Sequence, residues 1–477
     1  MNLIRKLAFI LLVLVALTCQ AQRTGFTNAA DFGFLPDATG VENVKALQKA
    51  VDRQGTILCS EPGTYKMAGT VYIGSNTTLE LGNGVILKKV SDEVGPFTHV
   101  ILNKGALTKE YDQHIIIRGL EISVNGVDKP FSEVFGLRGQ LAFFYVKDLR
   151  IEGFRCYDLA RMQFGVHVCT FEDLILDDTI IKGQKDGIHL GKGNRFTISN
   201  AILETMDDAI ALNAQDYPIS NPEQGWIENG IVGKCWDLAG QQKLVGYFCR
   251  ILSGAWIDWK QGMEVQMGTT VVSNGQVYRV DAEPDGKKYI SKTQPSHDAG
   301  AVELDGIRWV KTQDVAQYDA GVRNVTFRDI YLEKPRQSFS LHMAVNKYNR
   351  SFYEGAIEPS QDNIIFDNIR VLHDGKKAFL GLRSPANVVT IINSSLRNSG
   401  IETYQVECLE NIKPSTINIF NTTFNCEGEM LLLENRVENK TIYLNTANNT
   451  VAAKGFSAKV MESKDKVVIN SDLPGLN

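Results

Sequence analysis

Lys185-Asp186-Gly187-Ile188 and Met206-Asp207-Asp208-Ala209-Ile210 carry three aspartates whose spacing could do chemistry. Asp186 and Asp208 are 22 residues apart, and the same step relates Val166-His167-Val168, Ile188-His189-Leu190 and Ile210-Ala211-Leu212. A step of this size marks a solenoid, in which equivalent positions stack along one axis. Asp186 is then expected under Asp208, with Asp207 beside it. Carboxylates crowded on one face repel, and at least one pKa rises. That arrangement costs stability and suits acid–base chemistry better than it suits a scaffold. The bland reading is a polar turn followed by a solvated face; the matched spacing argues against it.

The same register aligns His167 with His189 one coil apart, and His342 in Ser340-Leu341-His342-Met343 is expected to continue the row. Such a row beside carboxylates could bind hydroxyl groups, although a lone histidine is more often structural. Asn213, Gln215, Asp216 and Tyr217 follow the aspartate pair and either line a cleft or form an exit turn. Trp256 and Trp259, in Gly254-Ala255-Trp256-Ile257-Asp258-Trp259-Lys260, are either a stacking surface or the core of an insert. Arg161, Arg323 and Lys260 are further candidate binders of an acidic group.

The elements that must position these residues are short and β-rich. Between residues 70 and 213, runs such as Thr78-Leu79-Glu80-Leu81 and His114-Ile115-Ile116-Ile117 alternate with Gly/Asn/Asp turns. Short apolar-alternating strands without long helices indicate an all-β chain, and their regular spacing favours a right-handed parallel β-helix over a sandwich. Before them, Asp31-Phe32-Gly33 and Val44–Val51 read as a turn and a short amphipathic helix. Residues 214–320 break the rhythm, hold all five tryptophans, and include a hairpin over Thr270–Val280. They are expected to be a small inserted β-domain. The division is then 1–21, 22–213 (cap and first coils), 214–320 (insert) and 321–477 (remaining coils and C-terminal cap).

The first 21 residues read as a secretory signal: Arg5 and Lys6, an apolar stretch from Leu7 to Leu17, and cleavage after Ala21. The chain is therefore expected to be exported, periplasmic or extracellular, with no transmembrane segment once matured. Ala16-Leu17-Thr18 is a poor lipobox, which makes lipid anchoring at Cys19 the weaker alternative. A net charge of −5 gives no support for a nucleic-acid partner. Of the eight cysteines none forms a CxxC pair, so a zinc site is not expected. Cys235 and Cys249 are the most plausible disulfide; Cys59, Cys156, Cys169, Cys408 and Cys426 read as buried thiols.

Asp31-Phe32-Gly33 through Gly63-Thr64-Tyr65 resembles the N-terminal cap of pectin-lyase-fold enzymes. Asp186-Gly187 followed by Asp207-Asp208 is similar to the Asn-Thr-Asp-Gly and Gly-Asp-Asp motifs of polygalacturonase-like glycoside hydrolases of family 28. A family of β-helix galactosidases with an inserted β-barrel is an equally good match. The insert resembles small β-modules appended to carbohydrate enzymes and phage tail proteins. The resemblance implies an inverting glycoside hydrolase acting on a carbohydrate, with no cofactor and no metal. It implies Asp207 as general acid, its pKa raised, and Asp186 and Asp208 as the pair that holds and deprotonates water. Inversion calls for acid and base carboxyls about 6.5–9.5 Å apart. His189, His167, Asn213, Gln215, His342, Trp256 and Trp259 are the candidate substrate contacts.

The departures are specific. Gln184-Lys185 stands where the family has Asn-Thr, the Gly-His-Gly turn is missing, and Arg308-Trp309-Val310-Lys311 is not the Arg-x-Lys pair that grips galacturonate. A polygalacturonate substrate is therefore not expected. Two rivals remain open: a polysaccharide lyase, for which the aspartates could hold Ca²⁺, and a non-catalytic glycan-binding protein.

Overall fold

The computed structural model describes residues 25–129, 133–240, 245–375, 377–403, 413–438, 440–462 and 466–476. The signal segment, Cys19 and Cys408 lie outside them. One parallel sheet wraps through the chain in coils. The coils that matter here contribute β1 (Gly139–Glu152), β2 (Phe164–Asp177), β3 (Ile188–Leu190), β4 (Gly193–Ser199), β5 (Ile210–Asn213), β6 (Ile227–Asp237), β7 (Cys249–Leu252), β8 (Val322–Leu332) and β9 (Phe339–His342).

Two apolar columns explain the stacking. Val166, Ile188, Ile210, Cys249, Phe339, Leu380 and Ile401 lie in register on successive coils. Phe196, Gly230, Val325, Ile364, Val389, Ile417 and Leu444 form another. Each strand alternates inward and outward, so one residue per strand feeds a column. Gly230 is required where it stands, because a Cβ there would lie 2.0 Å from the Phe196 ring.

The open N-terminal end is covered by α1 (Gly40–Val51), which buries Ala46, Leu47, Ala50 and Val51. Thr39 and Glu42 form its capping box, and the Glu93 carboxylate takes the next two backbone N–H groups, of Gly40 and Val41. The cap turn ends at Gly33 with φ 91°, a left-handed conformation that favours glycine. At the other end the last residues form a further coil, with strands Thr450–Val451, Ser457–Glu462 and Val467–Asn470 pairing in parallel on the coil before. No helix among the described residues is long and apolar enough to cross a membrane.

The insert is smaller than the sequence implies. β6 pairs with β4 and β8, and β7 pairs with β5 and β9, so both belong to the coils. Within residues 214–320, the stretch from Gly254 to Ala320 leaves the solenoid and builds a five-stranded sheet and flanking two-stranded pairs. The expected hairpin is there: Thr270–Ser273 pairs antiparallel with Gln276–Asp281. Its turn, Asn274-Gly275, has both φ values positive (51° and 76°), the geometry that suits a two-residue hairpin. The boundary was hidden because the coil step lengthens: Tyr247 lies over Asp208 after 39 residues rather than 22. Trp236, which made this stretch look foreign, stacks on Tyr331 of the next coil at 4.3 Å.

The expected Cys235–Cys249 disulfide is not formed. Both thiols are free and buried, serving as small apolar groups in the coil interior. Burial pushes the Cys235 thiol up to about 12.

Candidate active site

The turns entering β3 and β5 bring the three aspartates together. Gly165 N–H donates to the Asp186 carbonyl and Gly187 N–H to the Asp208 carbonyl, so Phe164, Asp186 and Asp208 stack as rungs of one ladder. Lys185 and Asp207 form the rung beside it. One oxygen from each carboxylate lies within 4.8 Å of the others. This is tighter than the separation that inversion calls for. The spacing could also hold a hard cation, but two side chains already bring positive charge to it.

The first is Lys185. Its ammonium bonds the Asp207 carboxylate and lies 3.5 Å from Asp186. The second is Arg250, on β7, whose Nε is 2.9 Å from Asp208 and whose Nη2 is 3.5 Å from Asp216. Asp186 and Asp208 are almost fully buried, each side chain 1 % exposed, whereas Asp207 keeps 25 % and Lys185 21 %. Asp207 and Lys185 therefore stand at the mouth, and Asp186 and Asp208 behind them.

These environments split the carboxyl groups. Burial pushes Asp208 up to about 7; Arg250 pulls it back, and Asp186 and Asp207 add to the rise. Burial opposes the charge of Asp186 too, but Lys185, the His189 hydrogen bond and Arg250 outweigh it and hold that carboxyl well below the usual range. Arg250 is buried against its charge, and Asp208, Tyr217 and Asp216 around it raise its pKa well above the ordinary value. Asp208 is thus a carboxyl of the cluster that is raised. The reason is positional: Asp208 faces inward from the turn and Asp207 outward.

His189 supports Asp186. Its Nδ1 lies 3.0 Å from the Asp186 carboxylate and its Nε2 3.3 Å from the Asn213 amide, which assigns the proton to Nδ1. Its ring stacks on Phe164 with centroids 4.2 Å apart. Asn213 also donates to Asp216 at 2.6 Å. His167 takes the opposite tautomer, because its Nδ1 accepts from the Arg138 N–H at 3.0 Å and its Nε2 faces the Asn221 side-chain oxygen. Burial and the neighbouring His189 drive its pKa well below the ordinary value, so the ring is neutral.

Other candidates lie elsewhere. His342 does not continue the histidine row: that row runs His167, His189, Ala211, Arg250 and Ser340, while His342 pairs in register with Leu252 and Arg383. Gln215 is fully buried and exchanges hydrogen bonds with Asn349 and Ser351, so it ties loops together instead of lining a cleft. Trp256 belongs to the main core and donates from Nε1 to the Gln317 carbonyl. Trp259 packs against the insert's own core and donates to Ser291. Neither tryptophan is a stacking platform beside the aspartates.

Two groups close the site from outside the 22-residue rhythm. Arg336, after β8, donates from Nη1 to the Asp207 carbonyl at 2.9 Å and makes a two-pronged contact with buried Asp237. Gly246 lies against the aspartate turn, where a Cβ would come within 2.4 Å of the Asp207 carbonyl carbon. Neither they nor Arg250 could be found from the spacing, since the coil step is longer there.

No protein-family model matches the sequence, and no curated protein matches it. Solved structures do. The A-module of mannuronan C-5 epimerase AlgE4 from Azotobacter vinelandii is 10% identical with a TM-score of 0.55, covering 94% of this chain and all of that one. PfbA, a surface adhesin of Streptococcus pneumoniae, is 12% identical with a TM-score of 0.51, covering 91% and 92%. A family 28 exopolygalacturonase from Yersinia enterocolitica is 14% identical with a TM-score of 0.44, covering 93% and 79%. What the first two share with this chain is the fold. This chain is a right-handed parallel β-helix of the pectin-lyase type, as the resemblance of its cap implied.

Proposed function

We propose that this chain is an exported glycoside hydrolase that works by carboxylate acid–base catalysis at Asp186, Asp207 and Asp208. The observation that carries the reading is the crowding of three carboxylates, with one oxygen from each within 4.8 Å of the others and two of the three buried; those surroundings push Asp208 up to about 7 and hold Asp186 low. Carboxyls pushed apart by their surroundings divide into acid and base. Near neutral pH Asp208 thus holds a dissociable proton.

Asp207 is the group that meets the glycosidic oxygen, because it alone of the three reaches the mouth. Its donation requires Lys185 to let go and the proton to pass from Asp208 within the cluster. The water is held against the inner oxygens of Asp186 and Asp208, which make no hydrogen bond among the described residues and face the Lys185 ammonium at 3.5 Å and the Arg250 Nε at 2.9 Å. An inverting reaction needs wider spacing than the resting cluster has. Outward rotation of Asp207, once released by Lys185, supplies it.

The deciding experiment is product release from a glycan panel by the mature protein and by Asp207→Asn. New reducing ends without ultraviolet absorbance, lost in the variant, support hydrolysis, and proton NMR of the first anomer formed reads the stereochemistry. Unsaturated, absorbing products that require Ca²⁺ would assign a lyase instead. Binding without turnover would assign a glycan-binding protein.

A further inference from the structure

A cavity of about 320 Å³ opens past the other end of β3 from the aspartates, at the corner that follows β3 and precedes β4. Tyr111, Thr170, Glu172, Lys192, Asn194 and Trp226 line it. It does not communicate with the aspartates along the outer face of β3, because the segment 214–225 is strapped across that face. Asn221 bonds His167, and the buried Glu223 takes hydrogen bonds from Tyr145 at 2.7 Å and Thr170 at 2.9 Å. Under the strap at Gly191 even a Cβ would come within 2.4 Å of Asn221.

Two aromatic residues are among those that line the cavity, and its charge is balanced. Tyr111 is 46% exposed and carries the Lys147 ammonium 4.5 Å from its ring centroid. Trp226 carries the Arg323 guanidinium 4.6 Å from its ring centroid. Glu172 is matched by Lys147 at 3.2 Å and Arg195 at 2.7 Å, Glu228 by Arg323, and Lys192 by Glu223 at 3.8 Å. With each charge answered by an opposite one, nothing selects an ionised ligand. Aromatic faces with a few polar groups at the rim suit a ring with apolar C–H faces and hydroxyl edges.

We propose that this cavity is a second glycan-binding site, distinct from the aspartate cluster, which takes one neutral sugar residue of a polysaccharide. The ring lies against Trp226 and Tyr111, and its hydroxyls meet Asn194, Lys192 and Gln317. The site shares the ligand class of the hydrolase reading but does not depend on its chemistry.

The test is native electrophoresis of the full mature chain through gels containing galactomannan, xyloglucan or arabinogalactan, with polygalacturonate as the charged control. Asp207→Asn is used as the background, so that the gel polymer is not digested. The proposal expects retardation in at least one neutral gel. It expects the apparent affinity to fall about tenfold in Tyr111→Ser and in Trp226→Ala, the loss of one stacking contact, and to be kept in Trp226→Phe. No retardation in any neutral gel, retardation in polygalacturonate alone, or equal retardation of Tyr111→Ser and the parent would overturn it. Tyr111 is exposed, so its variant decides even if Trp226→Ala unfolds. Hydrolysis of a neutral glycan by the wild-type chain without retardation sinks this inference and leaves the hydrolase reading standing; retardation without hydrolysis does the reverse.

Discussion

Lys185 places its ammonium on the carboxylate of Asp207, the residue directly above it on the next coil. The contact sets a positive charge at the mouth of an otherwise acidic cluster. Lys185→Met removes it, so the neighbouring carboxyls hold their protons more tightly. The expected result is a pH–rate profile whose acidic limb moves to higher pH, with a fall in melting temperature above about pH 4, because the buried Asp186 loses the first of the charges that hold it ionised. An unmoved acidic limb would exclude Lys185 from setting the charge state of the site.

Asp208 and Asp186 titrate in opposite senses. A carboxyl raised to about 7 stabilises the fold while protonated; that contribution is complete below its unfolded value of about 3.9 and is lost as pH rises from there to about 7. Asp186 is depressed, so its contribution is complete above about 3.9 and disappears as pH falls below that. Melting temperature in the wild type should decline between about pH 4 and 7 on account of Asp208, and Asp208→Asn should flatten that decline. Turnover should fall above about pH 7, as the cluster gives up its proton.

Arg250 faces two buried carboxylates. Arg250→Met leaves Asp208 and Asp216 without their cation, and removing one partner of a buried ion pair costs about 3–5 kcal/mol. Urea unfolding should show a loss of that order. A loss below about 1 kcal/mol would mean that the guanidinium is not the main compensation of these charges.

Gly246→Ala adds one methyl group against the Asp207–Asp208 turn. Overpacking of this kind costs about 1–3 kcal/mol. Because the methyl displaces the turn itself, turnover should drop more than stability does, with kcat affected more than KM. Steady-state kinetics beside thermal unfolding separates the two.

The sequence made the solenoid and the aspartate cluster legible because both obey a fixed step. Asp186, Asp208, His167 and His189 fall on it, and the structure stacks them accordingly. Arg250, Arg336 and Gly246 were illegible because the loops before them lengthen the step, so the ladder that puts them beside Asp207 and Asp208 leaves no periodic trace. His342 failed for a related reason, a match of residue type in a row whose register had slipped by two positions. Trp256 and Trp259 were left between a stacking surface and the core of an insert, because aromatic character does not distinguish a platform from a core.

The insert leaves and rejoins the solenoid at Gly254 and Ala320, which pair with each other as antiparallel neighbours. Its two ends are thus a strand's width apart, about 4.8 Å, and the coils above and below register only that width. A coil can therefore admit a module of any length at this seam without disturbing its stack. Excision is a different matter: Arg279 of the insert grips the Asp216 and Asn221 carbonyls, and Lys109 of the coils holds the Thr312 carbonyl. The insert thereby clasps the strap that separates the two candidate sites.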